Sequence, residues 1–583
     1  MISCLRENHS MRVWILRVAA LAAMCLAVAG YDSAEHHLLV LGAWMMSWIL
    51  ALMALPCGGR ALEVPLPSGE PFDRRELLLL ILALLAASII RLLWLTDFPR
   101  QLHNDEMSCG IEARRFLSAQ GAGLFATGWF DYSNIGFFIT SVFLRVFDGG
   151  LYGLRVSSVF FALLSLLAGY FLVRMLAGEK TAMWLIWLTA FFHFHLHFSR
   201  TGFHYMQGAG LIMLTLALFV YALRSRHPFV FGLCGVSLGI ALQSYCAANI
   251  LLLVLPLWAL WLWRNNEIKM KTLWIAAGIS LFTTLVTLAP HLAKSYSHPE
   301  SFQSRSFSVL AFGQHNAAHV GGLVGSNHPL DIALYQLPRA LGFFWQQGDT
   351  AVQYGFDGSL FDPLMLIFGV LGAVLSLTQS RRRGFVPIWI FTVLTVIFGA
   401  FITIDPPFSP RLTPLSPLIC VFAALGLTWT GSKLAAFRHA RASSVILAVF
   451  VLGVSASWNV NKYFASDSFY ARGERRDQIT RLLRLNPGIR SVINLFADEE
   501  TFSHEAYTFM SPGITGINVK PEQNLKAVLM ESKAPALLIA PPSRQLPELP
   551  SGAVALESQL NRSRRHESLN FSAWLIPSSD GGI

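Results

Sequence analysis

Two adjacent carboxylates, Asp105 and Glu106, follow an apolar run that ends near residue 95. They precede a stretch with helical character, and the nearby apolar run keeps them close to a membrane surface. In glycosyl transfer to a hydroxyl, a carboxylate within hydrogen-bonding distance accepts the acceptor's proton as the new sugar bond forms. Asp105 suits that task, with Glu106 orienting it. The structural alternative is that Asn104 and Asp105 only cap a surface helix, because both residue types are common caps.

Several basic side chains lie on the same side of the apolar runs as this pair. Fixed cations stabilise a phosphate that leaves with increased negative charge. The candidates for holding a donor phosphate are Arg200, His204, Lys294, Arg305 and Arg411. The alternative for the cations is that each reaches the lipid headgroups with its charged end.

A divalent metal ion is a further candidate partner, because metals bridge phosphates and carboxylates in some transferases. Glu106 and His204 are its candidate ligands. His193 and His197 also share a helical face, as two metal ligands would. The alternative is that these histidines are neutral residues at a wet interface.

An aromatic groove for a sugar or a prenyl chain is a related prediction. Its candidate lining residues are Tyr245, Asn249, His291 and the stretch Phe343-Phe344-Trp345. An interfacial aromatic belt explains them equally well.

The composition places all of these residues in a membrane protein. Of the 583 residues, 54% are hydrophobic and only 13% are charged, whereas soluble proteins average about 25% charged. A soluble core does not grow to this size, so lipid is the solvent. The formal charge of +10 lies in short clusters between apolar runs. This indicates membrane topology, and we expect no nucleic-acid partner.

Thirteen apolar runs predict membrane-spanning helices, since about 20 apolar residues of helix cross a bilayer. They lie near residues 13–30, 37–55, 76–95, 152–173, 182–198, 207–223, 229–247, 249–263, 272–290, 361–379, 385–403, 413–430 and 443–459.

The basic residues of the short loops set the orientation. One set of alternate loops holds sixteen lysines and arginines, whereas the opposite short connections hold only Arg200 and Arg411. Cytoplasmic loops are enriched in such residues, so the first set is cytoplasmic. The large polar segments 96–151, 291–360 and 460–583 then all face the outer side.

This topology divides the chain into three parts. Residues 1–75 hold two extra N-terminal helices and a cytoplasmic loop, and residues 76–459 form the catalytic membrane domain with outer loops 96–151 and 291–360. Residues 460–583 form a small outer α/β domain. Within it, Arg475–Leu485 has helical spacing, and Ser491–Phe496 and Ala536–Ala540 have the apolar character of short buried strands.

Short motifs occur along residues 76–430 in a fixed order and on one side of the membrane. They are Asp105-Glu106 with Gly110, Ala113 and Arg114; Trp129 and Asp131; Gly153-Leu-Arg155-Val-Ser-Ser; Phe198-Ser-Arg200-Thr-Gly; His298-Pro-Glu-Ser-Phe-Gln-Ser-Arg305; and Asp405-Pro-Pro-Phe-Ser-Pro-Arg411-Leu. This order resembles the multispanning GT-C glycosyltransferases, among them the protein O-mannosyltransferases and the lipid A aminoarabinose transferases. Many bacterial relatives carry a Lys-Pro-Pro-like element where this chain has Asp131-Tyr-Ser-Asn-Ile-Gly136, so donor and acceptor stay open.

The resemblance implies an all-α polytopic GT-C fold and an inverting glycosyltransferase. Asp105 would be the general base, and outer basic residues would hold the phosphate of a polyprenyl-phosphate sugar donor. The acceptor would be an extracytoplasmic lipid, glycan or protein. The short, alanine-rich spans favour a bacterial inner membrane as the location. Two alternatives stay open, a transporter or flippase of lipid-linked saccharides and a non-enzymatic assembly factor.

Overall fold

Two compact units make up the described part of the protein. The computed structural model describes residues 2–55, 72–118, 122–299, 308–435, 440–465, 475–496, 501–531, 535–546, 548–556 and 571–577. Unit 1 comprises Met1–Leu95 and Glu112–Ser468, and unit 2 comprises Thr96–Ile111 and Phe469–Ile583. The grouping of Thr96–Ile111 with the C-terminal part has no counterpart in the sequence-based division.

Helices build unit 1. They are α1 Ile2–Ala29, α2 His37–Met53, α3 Arg74–Leu92, α4 Asn104–Arg115, α5 Asn134–Val146, α6 Leu151–Ala177, α7 Glu179–Phe191, α8 His193–Ser199, α9 Tyr205–Ser225, α10 Pro228–Ser244, α11 Leu251–Arg264, α12 Met270–Ser297, α13 Gln314–Val324, α14 Pro329–Gly342, α15 Pro363–Ser376, α16 Gln379–Val396, α17 Ser409–Leu412, α18 Val421–Leu434 and α19 Ala440–Phe464. Of these helices, α4 is divided between the units, since residues 104–111 belong to unit 2 and residues 112–115 to unit 1.

Among the described residues, seven helices are long and apolar enough to cross a membrane, and α2, α5, α10 and α15 are shorter apolar helices. The protein is therefore a multi-pass membrane protein. Each of the thirteen apolar runs contains helix, but the run at 182–198 is divided into α7 and α8, and α18 begins only at Val421. The count of thirteen spans stays a prediction.

The centre of unit 1 is formed by α9 and α6. Of their most apolar windows, 78% and 67% of the residues are buried, against 11% for α1. The N-terminal helices therefore lie at the periphery. The indole of Trp44 in α2 donates a 2.8 Å hydrogen bond to the carbonyl of Thr287 in α12, which ties this peripheral pair to the bundle.

Glycines and hydroxyls bring α10 and α12 together. A side chain on Gly235 would overlap the Thr283 hydroxyl and the Ser280 carbonyl. The hydroxyl of Thr283 donates to the carbonyl of Gly232, and that of Thr284 to the carbonyl of Gly235, both at 3.0 Å. In lipid, small residues allow this close approach, and interhelical hydrogen bonds add to it.

A reciprocal glycine contact joins α15 to α18. A Cβ atom on Gly372 would lie 1.7 Å from the carbonyl oxygen of Phe422, and one on Gly426 would lie 2.2 Å from that of Phe368. The two backbones are therefore in direct contact.

An ion pair lies at the start of α3. The side chain of Glu76 is fully buried, and Arg174 of α6 donates to both of its oxygens, at 2.8 Å through Nη2. The hydroxyl of Tyr170 also donates to Glu76. A buried carboxylate needs such partners, since an unpaired charge is costly to bury.

The break between α7 and α8 occurs at Phe192 and is satisfied by side chains. The amide of His193 donates to Oδ1 of Asn459 in α19, at 3.1 Å. Asn459 in turn donates to Asp362, whose carboxylate also accepts from Ser455 at 2.6 Å. Non-helical backbone is tolerated at membrane depth only where protein satisfies it in this way.

Unit 2 contains a five-stranded sheet with the order β2-β1-β3-β5-β4. Its strands are β1 Ser491–Asn494, β2 Thr515–Asn518, β3 Ala536–Ala540, β4 Val554–Ala555 and β5 Ser572–Ile576, and its helices are α20 Arg475–Leu485, α21 Glu505–Met510 and α22 Leu525–Glu531. The first three strands pair in parallel, and the last two pair antiparallel. The predicted helix at 475–485 and strand at 536–540 are confirmed.

Gly372→Ala is expected to destabilise the protein, because the added methyl group overlaps the carbonyl of Phe422 and overpacking costs about 1–3 kcal/mol. Gly369→Ala is the matched control, since it lies in the same helix and nothing lies within 4 Å of its Cβ position. Thermal unfolding in detergent should show a lower Tm for Gly372→Ala alone. Equal Tm values would contradict the close contact of α15 and α18.

Candidate active site

The acidic pair lies in the first turn of α4. His103 precedes the helix, and its ring Nδ1 accepts a 3.1 Å hydrogen bond from the amide of Asp105. The capping task that the sequence left open for Asn104 and Asp105 is thus taken by His103. Asp105 and Glu106 occupy positions where the helix dipole favours negative charge.

The two carboxylates differ in exposure. The Asp105 side chain is 20% exposed, with Oδ1 3.8 Å from Nδ1 of His103, whereas Glu106 is fully buried. Burial lowers the pKa of His103; Asp105 and Glu106 oppose this effect, and Arg476 adds to it. A neutral ring retains the lone pair that accepts from the Asp105 amide. Asp105 is therefore the member of the pair that reaches solvent.

The predicted phosphate ligands belong to a different unit from this pair. Arg200, His204, Lys294 and Arg411 lie in unit 1, and Asp105 and Glu106 in unit 2. Arg305 lies outside the described residues.

Arg200 is fully buried and donates four hydrogen bonds to main-chain carbonyls at the end of α3. The acceptors are Ile90 and Arg91 for Nη1 and Leu93 and Trp94 for Nη2, at 2.7–3.1 Å. The last carbonyls of a helix have no partner within the helix, so a cation here has a structural task. As a phosphate ligand, Arg200 stays a prediction.

Arg155 supports the same chain segment. It is fully buried in α6, and its Nη1 donates to the carbonyl of Leu95 at 2.9 Å. Both arginines come from the motifs that carry the family resemblance, and both hold main chain just before residues 96–111.

His204 lies between aromatic rings at the start of α9. Its ring centroid is 4.5 Å from that of Phe137 and 6.2 Å from that of Tyr132. It is 4% exposed, and neither ring nitrogen has a hydrogen-bond partner among the described residues. Lys294 is 9% exposed within α12. Both stay predictions as phosphate ligands.

Arg411 is held by the loop before it. Its Nη1 donates to the carbonyl of Ile404 at 2.5 Å, and its guanidinium carbon lies 4.4 Å from the ring centroid of Phe408. The carboxylate of Asp349 accepts from the amide of Ser409 at 3.1 Å, which fixes the start of α17. The hydroxyl of Thr350 donates to the carbonyl of Pro407 at 2.6 Å.

A cavity of about 580 Å³ lies beside Arg411 within unit 1. Tyr132, Tyr205 and Tyr245 line one part of it. Other walls come from the start of α11, including Leu252, and from the π-helical turn Ile397–Phe401 that follows α16. The lining is mainly aromatic and aliphatic, and among the described residues that line it Arg411 is the one with a charged side chain. Such a cavity fits an apolar chain that carries an anionic end.

The sequence predicted only part of this cavity. Tyr245 and Asn249 line it, but His291 and Phe343-Phe344-Trp345 do not. Tyr132 and Tyr205 had no sequence signal beyond their closeness to the motifs. Asp349 lies 60 residues before the amide that it binds, so no local pattern could have identified it.

The structure adds no support to the prediction that a divalent metal ion binds at Glu106 and His204. Among the described residues, no three His, Cys, Asp or Glu side chains come together as metal ligands. Glu106 and His204 stay candidates from the sequence.

The burial of Asp349 predicts that the stability of the folded protein depends on pH. Burial raises the pKa of Asp349 to about 7, although hydrogen bonds from Ser409, Ala351 and Thr350 oppose the shift. The folded protein therefore binds this proton more tightly than the unfolded chain, and this contribution to stability is lost as pH rises from about 4 to about 7.

Asp349→Asn removes this titration and keeps an acceptor for the Ser409 amide. We expect its Tm in detergent to match the wild type near pH 4 and to exceed it at pH 8. Asp349→Ala, which has no acceptor, should have a lower Tm than Asp349→Asn at both pH values. Parallel pH profiles for wild type and Asp349→Asn would contradict the burial of a charged carboxylate.

Comparison with solved structures finds proteins that are similar to this chain. ArnT from Cupriavidus metallidurans, bound to undecaprenyl phosphate, matches with a TM-score of 0.52 and 14% identity over 88% of this chain and 100% of that one. The Archaeoglobus fulgidus oligosaccharyltransferase, tethered to an acceptor peptide, matches with a TM-score of 0.47 and 14% identity over 80% of this chain and 69% of that one. The S. cerevisiae O-mannosyltransferase Pmt1-Pmt2 complex, bound to the sugar donor, matches with a TM-score of 0.33 and 17% identity over 43% and 40%.

The last two scores lie below 0.5, so the shared fold rests on the ArnT likeness. The sequence matches no family model, and no curated protein matches it. The predicted fold class, a helical GT-C membrane protein with a small C-terminal α/β unit, is confirmed.

Proposed function

We propose that the protein is a membrane glycosyltransferase that transfers a sugar from a polyprenyl-phosphate donor to an extracytoplasmic acceptor. The observation that carries this proposal is the cavity of about 580 Å³, whose mainly apolar wall includes the charged side chain of Arg411. A polyprenyl phosphate has the matching chemistry, an apolar chain with an anionic end. The fold adds support, since ArnT with this fold binds undecaprenyl phosphate.

In this mechanism Arg411 holds the donor phosphate. Its guanidinium already stacks on Phe408 and donates to the carbonyl of Ile404, so it is oriented before the ligand binds. Arginine pairs with phosphate through short charge-assisted hydrogen bonds. It would stabilise the charge that grows on the phosphate as the sugar leaves.

Asp105 is the proposed general base. The acceptor hydroxyl attacks the anomeric carbon while its proton moves to the Asp105 carboxylate. The bond from that carbon to the phosphate oxygen breaks, and the polyprenyl phosphate keeps the electron pair. One displacement inverts the anomeric centre. The partial exposure of Asp105 and its place in the first turn of α4 suit a base that must meet an incoming hydroxyl.

The other site residues predicted from the sequence have supporting roles in the proposed mechanism. Glu106 orients Asp105 or helps to hold a divalent ion with His204, and Lys294 and Arg305 are additional phosphate candidates. The loop charges support a site on the extracytoplasmic face, and a bacterial inner membrane is the proposed location.

Asp105→Asn is expected to reduce turnover by at least about 100-fold, since general base catalysis contributes roughly 10²–10⁴-fold. The purified protein would be incubated with radiolabelled polyprenyl-phosphate sugars and membrane extract, and the transfer of label would be measured. Glu112→Gln is the matched control, because Glu112 lies on the same helix and pairs with Arg115 at 2.6 Å. Unchanged sugar transfer by Asp105→Asn would contradict the assignment of Asp105 as the general base. Translocation of the donor without sugar transfer would instead favour a flippase.

Arg411→Gln is expected to weaken the binding of undecaprenyl phosphate by about 10- to 100-fold, because a hydrogen bond to a charged group is worth roughly 1.5–3 kcal/mol. Binding would be measured on the purified protein in detergent. Arg339→Gln is the control, since Arg339 also stacks on an aromatic ring, 3.6 Å from the Tyr335 centroid, but does not line the cavity. Equal affinities for the two variants would contradict a phosphate site at Arg411.

A further inference from the structure

The segment that carries Asp105 folds with the C-terminal part of the chain. Thr96–Ile111 and Phe469–Ile583 form one compact unit, although more than 350 residues separate them in the sequence. The contacts within this unit show how the segment is held.

The first contact joins Gly110 in α4 to Phe509 in α21. A Cβ atom on Gly110 would lie 2.5 Å from Cε2 of Phe509 and 2.8 Å from two further ring atoms. Phe509 is fully buried, so its ring has little room to move. A glycine inside a helix costs about 1 kcal/mol relative to alanine. The close approach of this ring supplies a reason for glycine at position 110.

Helix α20 provides the second contact. Nη2 of Arg481 lies 3.8 Å from Oδ1 of Asp97 at the start of the segment. Arg481 is itself oriented by Asp477, whose carboxylate is 2.9 Å from its Nε and which is only 4% exposed. On the same helix, Arg476 lies close enough to His103 to lower its pKa. The α20 helix therefore acts on the segment at Asp97 and at His103.

Both helices rest on the sheet of unit 2. Ile479, Leu482 and Leu483 of α20 and Tyr507 of α21 share one apolar core with Val492 of β1 and Leu537 of β3. The contacts at Gly110 and Asp97 are thus made by a well-packed body, which can transmit a fixed geometry to the chain that it holds.

We propose that the C-terminal domain is a working part of the active site, in which Phe509 and Arg481 are positioning residues that hold the start of α4 and so orient Asp105. This positioning role rests on the proposed function, because a general base must be placed accurately against the hydroxyl that it deprotonates. A displacement of about 1 Å in a reacting group can cost roughly 100-fold in rate.

Gly110→Ala is the principal test. Its methyl group overlaps the Phe509 ring, so we expect kcat to fall by about 10- to 100-fold with the KM for the polyprenyl-phosphate donor little changed. Gly110→Ala combined with Phe509→Leu should recover much of the lost kcat, because leucine lacks the ring edge that the methyl group meets. Gly488→Ala is the matched control, since nothing lies within 4 Å of its Cβ position in the same unit.

Hydrogen–deuterium exchange of the full-length protein gives a readout that does not depend on activity. We expect faster exchange in residues 96–111 for Phe509→Leu, with the strands Ser491–Asn494 and Ala536–Ala540 still protected. Protected strands show that unit 2 is folded, so the test holds even where Gly110→Ala alone gives little protein.

The two proposals fail in different ways. Normal transfer by Asp105→Asn would overturn the proposed function, whereas the exchange result would still decide whether the C-terminal domain holds residues 96–111. Unchanged exchange in residues 96–111 for Phe509→Leu, or an unchanged kcat for Gly110→Ala, would overturn the positioning role.

Discussion

The hydrogen bonds from Arg200 to the end of α3 are the constraint on which the rest of unit 1 depends. The end of a helix leaves four carbonyls without helical partners, and carbonyls that are buried must find other donors. Arg200 supplies four donors, and Arg155 supplies another to Leu95. Both arginines are fully buried. Their cost of burial is offset by these hydrogen bonds to main-chain carbonyls and by the negative potential that the helix dipole places at this end.

The same requirement explains the other irregular points of the bundle. Where the chain breaks at Phe192, Asn459 accepts from the free amide of His193, and Asp362 in turn binds Asn459. Where backbones touch, between α15 and α18, glycines leave the space for the close approach. The result is a rigid helical frame in which buried polar side chains form hydrogen bonds with main-chain groups. This frame gives the cavity walls a defined shape, because close-packed interiors do not deform gradually.

The two residues proposed for chemistry lie in helices that follow irregular segments, Asp105 in α4 and Arg411 in α17. The loop before α17 is held by Asp349 and Thr350, and Arg411 lines a mainly apolar cavity. A single cation in low-polarity surroundings interacts with a phosphate more strongly than it would in water. In unit 2, His103 and the α20 arginines arrange the charges around Asp105, so the C-terminal domain contributes to the electrostatics of the segment that carries the proposed base.

The sequence by itself determined the apolar helices, the multi-pass character and the small C-terminal α/β unit, because lipid and a buried sheet each impose a composition and a period that can be read locally. It also singled out Asp105, Arg200 and Arg411 as unusual polar residues beside apolar runs. The tertiary structure alone decided what these residues contact: Arg200 binds carbonyls, Arg411 lines a cavity, and His103 caps the helix of Asp105. It alone joined Gly110 to Phe509. Such contacts link positions tens to hundreds of residues apart, and their geometry follows from packing in three dimensions, which no local pattern encodes.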